Sequence, residues 1–163
     1  MRLFVAVFPS TEACDHLRRR LTRNPPRVRL TPVGRWHVTL HFLGEVPDDR
    51  QADMERALSG VPGGGRLDLQ LTGGGSFGTV QWAGVGGDVA GLAGLHDAVT
   101  RALDAPDERT FTPHLTVSYQ HSAAVREALH GYRGPAWTAV EFALVRSHYR
   151  DGGGYETLRT WPL

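Results

Sequence analysis

The sequence contains one cysteine, no lysine and no long apolar segment, and each absence excludes a class of protein. A single thiol, Cys14, cannot form an intramolecular disulfide or a zinc site built from several thiolates. Apolar runs such as Leu3–Phe8 are much shorter than the roughly 20 residues that a transmembrane helix needs. No small-residue cleavage site follows the first apolar run, so we expect no signal peptide, no membrane partner and a cytoplasmic location.

The charge balance excludes a protein that coats nucleic acid through a broad basic surface. Eighteen basic residues, all arginine, stand against seventeen acidic residues, and the formal net charge is +1. Sequence-independent binding to a phosphate backbone needs a much larger positive excess. A local contact to one phosphate remains open, because the planar guanidinium group matches phosphate oxygens.

Strand and helix patterns alternate along the chain, in the same order in both halves. Predicted helices start near Ser10, Pro47, Asp88 and Ser122. The predicted strands are Arg2–Phe8, Trp36–Leu43, Arg66–Thr72, Thr79–Val85, His114–Tyr119, Trp137–Val145 and Tyr155–Trp161.

This order predicts one domain over residues 1–163, built from a duplicated unit. Lobe one would span about residues 1–72 and lobe two about 78–163, with interleaving of the terminal strands left open. We expect an α+β protein with helices outside and a groove between two sheets. A doubly wound parallel sheet is the second alternative, less favoured because the strands alternate in polarity.

A glycine-rich stretch separates the two predicted lobes. Gly74–Gly78 fits the pattern G-x-S-x-G, and Gly73–Gly78 fits G-x-G-x-x-G. Both motifs require a helix directly afterwards, whereas the following segment, Thr79–Val85, has a strand pattern. We therefore interpret this stretch as a linker between the lobes.

Each half carries one copy of the same four-residue pattern inside a predicted strand. The copies are His37-Val38-Thr39-Leu40 and His114-Leu115-Thr116-Val117. Because strand side chains alternate between faces, each His shares a face with the Thr two residues later. The same alternation adds His41 to the first face and Ser118 to the second. If a pseudo-twofold axis relates the halves, the two polar faces meet across one groove.

Two imidazoles and two hydroxyls in one groove are suited to phosphodiester cleavage. One neutral imidazole can accept a proton from the attacking group while a charged one protonates the leaving oxygen. Threonine hydroxyls can donate hydrogen bonds to the other phosphate oxygens. His37 and His41 could instead ligate a metal, but no third convergent ligand is visible. We therefore expect no metal and no cofactor.

The chain resembles the 2H phosphoesterase superfamily, and within it the RNA 2′,3′-cyclic phosphodiesterase group, also described as 2′-5′ RNA ligase-like. The matching segments cover nearly the whole chain and are Arg2–Pro9 (RLFVAVFP), His37–Val46 (HVTLHFLGEV), Phe111–Ser118 (FTPHLTVS) and Phe142–Leu163. The resemblance implies a bilobal α+β fold with two antiparallel sheets around a groove, and a reaction that needs no metal.

The resemblance also implies roles for the motif residues. His37 matches the proton donor to the leaving oxygen, His114 the proton acceptor that activates water, and Thr39 and Thr116 the phosphate-binding hydroxyls. The implied reaction opens a terminal 2′,3′-cyclic phosphate of RNA, or of a small cyclic nucleotide, to a 2′-phosphate. No obligate protein partner is implied. Two alternatives remain: a non-catalytic module that binds RNA ends or nucleotides, and a phosphodiesterase or ligase acting on 2′-5′ linked RNA.

One position departs from the family pattern. Many members carry Arg three residues after the second motif threonine, where this chain has Tyr119. Alternation along the strand predicts that Tyr119 faces away from His114. Further candidates for substrate contacts, including arginines that could supply the missing charge, are His41, Ser118, Arg146, His148 and Arg150.

Overall fold

The computed structural model describes residues 1–149 and 152–163, which form eight β-strands and four α-helices. The strands are β1 (Arg2–Val7), β2 (Val38–Glu45), β3 (Leu67–Phe77), β4 (Val80–Gly87), β5 (His114–Ser118), β6 (Arg133–Ala139), β7 (Glu141–Ser147) and β8 (Tyr155–Pro162). The helices are α1 (Thr11–Thr22), α2 (Gln51–Ser59), α3 (Val89–Ala102) and α4 (Ala123–Leu129). No helix in this part of the chain is long and apolar enough to cross a membrane.

The strands form two four-stranded sheets over the described residues. The first has the order β2-β1-β7-β8 and the second the order β5-β4-β3-β6. Every described strand pair is antiparallel. The predicted α+β fold with two antiparallel sheets is confirmed, and the parallel alternative is wrong.

The two sheets do not follow the two halves of the sequence. β3 belongs by position to the first half but pairs with β4 and β6 in the second sheet. β7 and β8 belong to the second half but extend the first sheet beyond β1. β3 thus pairs in a different sheet from β1 and β2, and the division into two lobes stays a prediction.

The glycine-rich stretch is part of a strand, so its prediction as a linker is wrong. β3 continues through Gly73–Gly75 to Phe77, and a tight turn at Gly78 (φ +58°) leads into β4. The glycines are required by their neighbours. A Cβ at Gly74 would lie 2.7 Å from the Leu129 side chain, and one at Gly75 would lie 2.5 Å from the Trp82 ring. Glycine here allows both bulky side chains to lie directly on the strand.

The segment predicted as one strand over Trp137–Val145 is divided between the sheets. β6 ends at Ala139 in the second sheet, and β7 begins at Glu141 in the first. Val140, between them, is half exposed. Periodicity did not reveal this change of sheet, because both strands carry similar apolar alternation.

One continuous core joins the two sheets. Its buried side chains come from all four helices and from strands of both sheets, for example Leu17 on α1, Leu58 on α2, Leu92 on α3 and Leu129 on α4. The opposite side of the first sheet has its own small apolar cluster, which comprises Phe4, Ala6, Ala143 and Val145. The single domain over residues 1–163 stays a prediction, and the shared core supports it.

Candidate active site

The two motif histidines are held by the same backbone arrangement. Nδ1 of His37 lies 2.7 Å from the carbonyl oxygen of Arg35, and Nδ1 of His114 lies 2.7 Å from that of Thr112. A carbonyl oxygen can only accept, so Nδ1 must carry the proton in both rings. This assigns the neutral tautomer and leaves Nε2 of each ring for proton exchange.

His37 lies in an aromatic pocket at the edge of the first sheet. Its ring centroid is 4.6 Å from that of Phe4, 5.4 Å from that of Tyr155 and 6.2 Å from that of Phe8. Burial lowers the pKa of His37, the hydrogen bond to the Arg35 carbonyl opposes this, and the charge of His114 lowers the pKa further. Of these causes, only the charge of His114 comes from the second motif.

His114 is supported by a different pair of rings on the second sheet. Its centroid lies 5.1 Å from that of Phe77, edge-on, and 5.6 Å from that of Trp82. The ring centroids of Phe77 and Trp82 are 5.1 Å apart. Because Gly75 leaves room for the Trp82 ring, the glycine-rich part of β3 determines where this support lies. We refer to the space beside the His37 and His114 rings, whose charges interact, as the groove.

Both motif strands contain an irregularity immediately after the threonine. In β2, Thr39 pairs with Ala6 and His41 with Val5, so Leu40 is an extra residue. In β5, Thr116 pairs with Trp82 and Ser118 with Gln81, so Val117 is extra. Two β-bulges thus occur at the same position in the two motifs, and a bulge reverses the alternation of every residue that follows it.

The bulges overturn the predicted placement of His41 and Ser118 in the groove. His41 lies opposite Val5, which faces the main core, whereas Thr39 lies opposite Ala6 in the groove-side cluster. Burial lowers the pKa of His41, while the charge of Asp107 raises it and that of His96 lowers it. Both of these neighbours lie on or after α3. The prediction assumed strict alternation along the strand, and the extra residue Leu40 interrupts that alternation.

Ser118 has a structural role that links the two motifs. It is fully buried, and its hydroxyl lies 2.9 Å from the Gln120 carbonyl oxygen and 3.3 Å from that of Arg29, either of which can accept its one proton. The backbone N–H of Thr31 donates to the carbonyl of Val117 at 2.8 Å. The bulged end of β5 therefore binds the segment that leads into the first motif.

The same bulges turn an aromatic side chain back to the groove side in each motif. Phe42 pairs with Phe4 and is 51% exposed, with the Arg2 guanidinium 5.0 Å from its centroid. Tyr119 is 64% exposed, and after burial its charge is the next cause that raises the pKa of Tyr155 on the first sheet. The expectation that Tyr119 faces away from the site is therefore wrong, for the same reason as for Ser118.

Of the remaining predicted contacts, Arg146 faces away from the groove-side cluster, and His148 contacts a carboxylate. Arg146 pairs with Leu3, a core residue, and therefore lies on the opposite face of β7 from Val145 and the groove-side cluster. Nε2 of His148 lies 2.6 Å from a carboxylate oxygen of Glu156. Arg150 lies outside the described residues.

Sequence reasoning missed Arg35, which serves the first motif twice. Its backbone carbonyl fixes the His37 ring, and its guanidinium donates to the Gly153 carbonyl at 2.9 Å and lies 5.9 Å from the Tyr155 centroid. The corresponding position in the second motif is Thr112. The backbone carbonyl, and not the side chain, orients each histidine ring. The two positions therefore need no common side chain, and no residue pattern could have revealed them.

The groove holds no cluster of metal ligands within the part of the chain that the structure describes. No group of three or more His, Cys, Asp or Glu side chains there could hold a metal ion.

Comparison with known proteins gives consistent matches. Residues 9–151 match the family model described as the 2'-5' RNA ligase superfamily. Among curated proteins, the chain is 31% identical over 144 residues to an RNA 2',3'-cyclic phosphodiesterase of Geobacillus stearothermophilus, covering 78% of this chain and 45% of that protein. It is 33% identical over 92 residues to one of Aeropyrum pernix, covering 51% and 52%. The chain thus spans about half the length of these curated relatives.

A solved structure matches along the entire fold. LigT of E. coli in its apo form is 25% identical, with a TM-score of 0.82, and the match covers 99% of this chain and 96% of LigT. LigT complexed with ATP matches at 26% identity and a TM-score of 0.77, covering 99% and 97%. The match of the family model over most of the sequence shows that this chain belongs to the 2'-5' RNA ligase superfamily of 2H phosphoesterases.

Proposed function

We propose that this protein hydrolyses the terminal 2′,3′-cyclic phosphate of RNA, or of a small cyclic nucleotide, to a 2′-phosphate. The observation that carries the proposal is the matched pair of imidazoles, each with Nδ1 committed to a backbone carbonyl and Nε2 left for proton transfer. The names of its curated relatives and the nucleotide complex of LigT support this choice of substrate.

The proposed step uses one imidazole as base and the other as acid. Nε2 of His114 accepts a proton from water while the water oxygen forms a bond to phosphorus. The bond from phosphorus to O3′ breaks, and Nε2–H of a protonated His37 gives its proton to O3′. Atoms and charges balance when the proton later returns from His114 to His37 through solvent. Thr39 and Thr116 would donate to the two non-bridging oxygens, whose charge increases in the transition state.

The lowered pKa of His37 is compatible with a donor role only when substrate is bound. Burial and the charge of His114 both disfavour the imidazolium in the free protein. A phosphodiester anion in the groove favours the imidazolium, because an opposite charge at short range stabilises the protonated form. Substrate binding would therefore raise the pKa of His37 and favour its protonated form.

The aromatic residues suggest how the nucleoside is held. Phe42 and Tyr119 are large, exposed and positioned on the groove side of the two motif strands. A planar base can stack on such rings at about 1–3 kcal/mol per base. Stacking on Tyr119 would compensate for the absence of the arginine that many related sequences carry at this position.

The test is a product assay with the purified chain and excess chelator. The panel comprises the four nucleoside 2′,3′-cyclic phosphates, a short RNA with a cyclic phosphate end, and a 2′-5′ linked dinucleotide. We expect 2′-phosphate products, identified by ³¹P NMR, from the cyclic substrates. Tight binding of a cyclic phosphate without product would instead indicate a binding module, and cleavage or formation of only the 2′-5′ linkage would indicate the third function.

We also propose a cytoplasmic location, where RNA ends of this kind would be met. The buried, unpaired thiol of Cys14 supports a reducing compartment.

A further inference from the structure

A basic cleft lies on the molecule away from the groove. It has a volume of about 640 Å³ and lies between α1 and the turn that joins α4 to β6. The side chains that define this basic cleft are His16, Arg19, Arg20, Arg23, Tyr132 and Arg133.

The basic cleft is on the other side of the second sheet from the motif histidines. Gly74 and Gly75 are neighbours on β3 and so face opposite sides; Gly74 contacts Leu129 of α4, and Gly75 contacts the groove-side Trp82. The helix α4 therefore covers the outer side. β6, which borders the basic cleft, is three strand spacings from β5, or about 14 Å in the plane of the sheet. The basic cleft is thus separate from the groove.

Four guanidinium groups line this cleft without balancing carboxylates. In residues 1–149 and 152–163, Arg19, Arg20, Arg23 and Arg133 form no ion pair. Arg23 directly follows α1 in helical conformation, one turn after Arg19, so the two lie on the same side, where like charges repel. In a protein with a net charge of only +1, this local concentration is compensated best by an anionic ligand.

The polar framework of the cleft is already ordered. Nε of Arg20 donates to the Ala128 carbonyl at 2.9 Å, which leaves its two terminal nitrogens as donors. Nδ1 of His16 lies 2.8 Å from the hydroxyl of the buried Tyr132. Whichever of these two groups donates to the other, one donor remains, either Nε2–H of His16 or the Tyr132 hydroxyl. Burial raises the pKa of Tyr132 to about 12, so the phenol keeps its proton beside the arginines.

We propose that the basic cleft binds backbone phosphates of a ribonucleotide chain and so forms a second RNA contact outside the groove. The proposal rests on the proposed function, since it takes the substrate of the groove to be the end of such a chain. Arginine is suited to the role because its planar fork makes paired hydrogen bonds to phosphate oxygens. Several guanidinium groups in a row suit a ligand with several phosphates better than a single small anion.

The test measures RNA binding without relying on catalysis. The probes are fluorescent 3-nucleotide and 12-nucleotide RNAs that end in a 3′-hydroxyl, titrated over a range of salt concentrations. The variant combines Arg19→Gln, Arg23→Gln and Arg133→Gln. The matched control, with equal loss of charge at exposed positions outside the basic cleft, combines Arg18→Gln, Arg66→Gln and Arg101→Gln.

We expect the cleft variant to weaken binding of the 12-mer at least tenfold at about 0.1 M salt. The slope of log Kd against log salt should fall by about 2, because each lost phosphate contact on a single strand contributes about 0.7. Binding of the 3-mer and kcat/KM for a cyclic mononucleotide should stay within twofold of the parent. Equal weakening by the control variant, or an unchanged 12-mer affinity, would overturn the proposal.

Two further measurements separate the possible failures. Competition by inorganic phosphate at the basic cleft with no effect of the variant on the 12-mer would indicate a small-anion site and contradict RNA docking. If the parent protein turns over no cyclic phosphate, the proposed function fails. The 12-mer titration still tests whether the basic cleft binds RNA. Thermal unfolding checks each variant, and Arg23→Gln alone, at an exposed position, replaces the triple variant if that does not fold.

Discussion

The two His–Thr strands have the same backbone but different surroundings. Each places a histidine whose Nδ1 donates to the carbonyl two residues earlier, a threonine two residues later, and a bulge directly after that threonine. His37 packs against Phe4, Phe8 and Tyr155, whereas His114 packs against Phe77 and Trp82.

This difference shows that the orientation of each histidine ring and its pKa are determined by different parts of the structure. The backbone hydrogen bond sets the tautomer and orientation of each ring, and it is the same on both sides. The packing around each ring determines how far the ring is removed from solvent, and this packing differs between the two motifs. A duplicated structural unit can therefore present two equivalent nitrogens while the surroundings adjust each imidazole to a separate role.

The largest expected effect comes from removing either Nε2. His37→Asn and His114→Asn each retain a donor for the backbone carbonyl but lose the nitrogen that exchanges protons. We expect each to lower kcat/KM for a cyclic phosphate by about 10²–10⁴-fold. The double variant should lose much less than the product of the two effects, because acid and base act in one step.

The control for this pair is His121→Asn, at an exposed position after β5. It should retain full activity, and all three variants should unfold at temperatures close to that of the parent. Full activity in either motif variant would refute the paired mechanism and leave the equivalence of the two strands purely structural.

The next effect concerns the two hydroxyls. Thr39→Val and Thr116→Val keep the shape of the side chain and remove the donor to phosphate. Loss of a hydrogen bond to a charged group costs about 1.5–3 kcal/mol, so kcat/KM should fall by about 10- to 100-fold in each. Thr→Ser at either position should preserve most of the activity. Unequal losses would show that one strand carries more of the phosphate binding.

A smaller effect, restricted to the second strand, comes from Gly75→Ala. The added Cβ would lie 2.5 Å from the Trp82 ring, so the ring must move, and Trp82 contacts His114. We expect a loss of about 1–3 kcal/mol in the free energy of unfolding, measured by urea denaturation, together with reduced activity. Gly64→Ala is the control, since no atom lies within 4 Å of its added Cβ.

The Trp82→Leu background sharpens this test. With the ring removed, Gly75→Ala should cost much less stability than it does in the parent, because the two changes share one contact. An equal cost in both backgrounds would mean that the glycine is needed for the strand itself and not for the support of His114.

The smallest effect concerns the pKa of His37 and is specific to the first strand. NMR titration of the free protein should give a value below the ordinary 6.5 of histidine. Phe8→Ser, which admits water to the ring, should raise the pKa, and saturation with inorganic phosphate should raise it further. A phosphate-insensitive His37 would contradict its role as donor.

The same shift has a defined consequence for stability. Because the folded pKa of His37 lies below the unfolded value, the unfolded state binds more protons in acid. The contribution of neutral His37 is therefore complete above about pH 6.5 and is lost as the pH falls through the folded pKa.

Much of the fold and the centre of the site could be predicted from the sequence. Alternating apolar residues identified the strands around His37 and His114, and the repeated His-x-Thr pattern predicts the four residues that we propose as the centre of the site. What failed was the extension by strict alternation to His41, Ser118 and Tyr119. Each of these residues follows a bulge that the sequence does not mark, since Leu40 and Val117 are ordinary strand residues.

The sheet that each strand joins could also not be predicted from the local sequence. The glycines of β3 suggested a linker because glycine usually weakens a strand, yet here a neighbouring ring and a leucine need the space. The change of sheet at Val140 depends on which distant strand is available for pairing. Both outcomes are set by contacts between parts of the chain that are far apart in sequence.

The position of β8 constrains when catalysis could begin during synthesis. Tyr155 on β8 contacts the His37 ring, and β8 pairs with β7, which in turn pairs with β1. A growing chain on the ribosome would therefore contain both histidine motifs well before the first of them acquired its finished pocket. The aromatic surroundings of His37 should therefore be complete only after β8 has been synthesised.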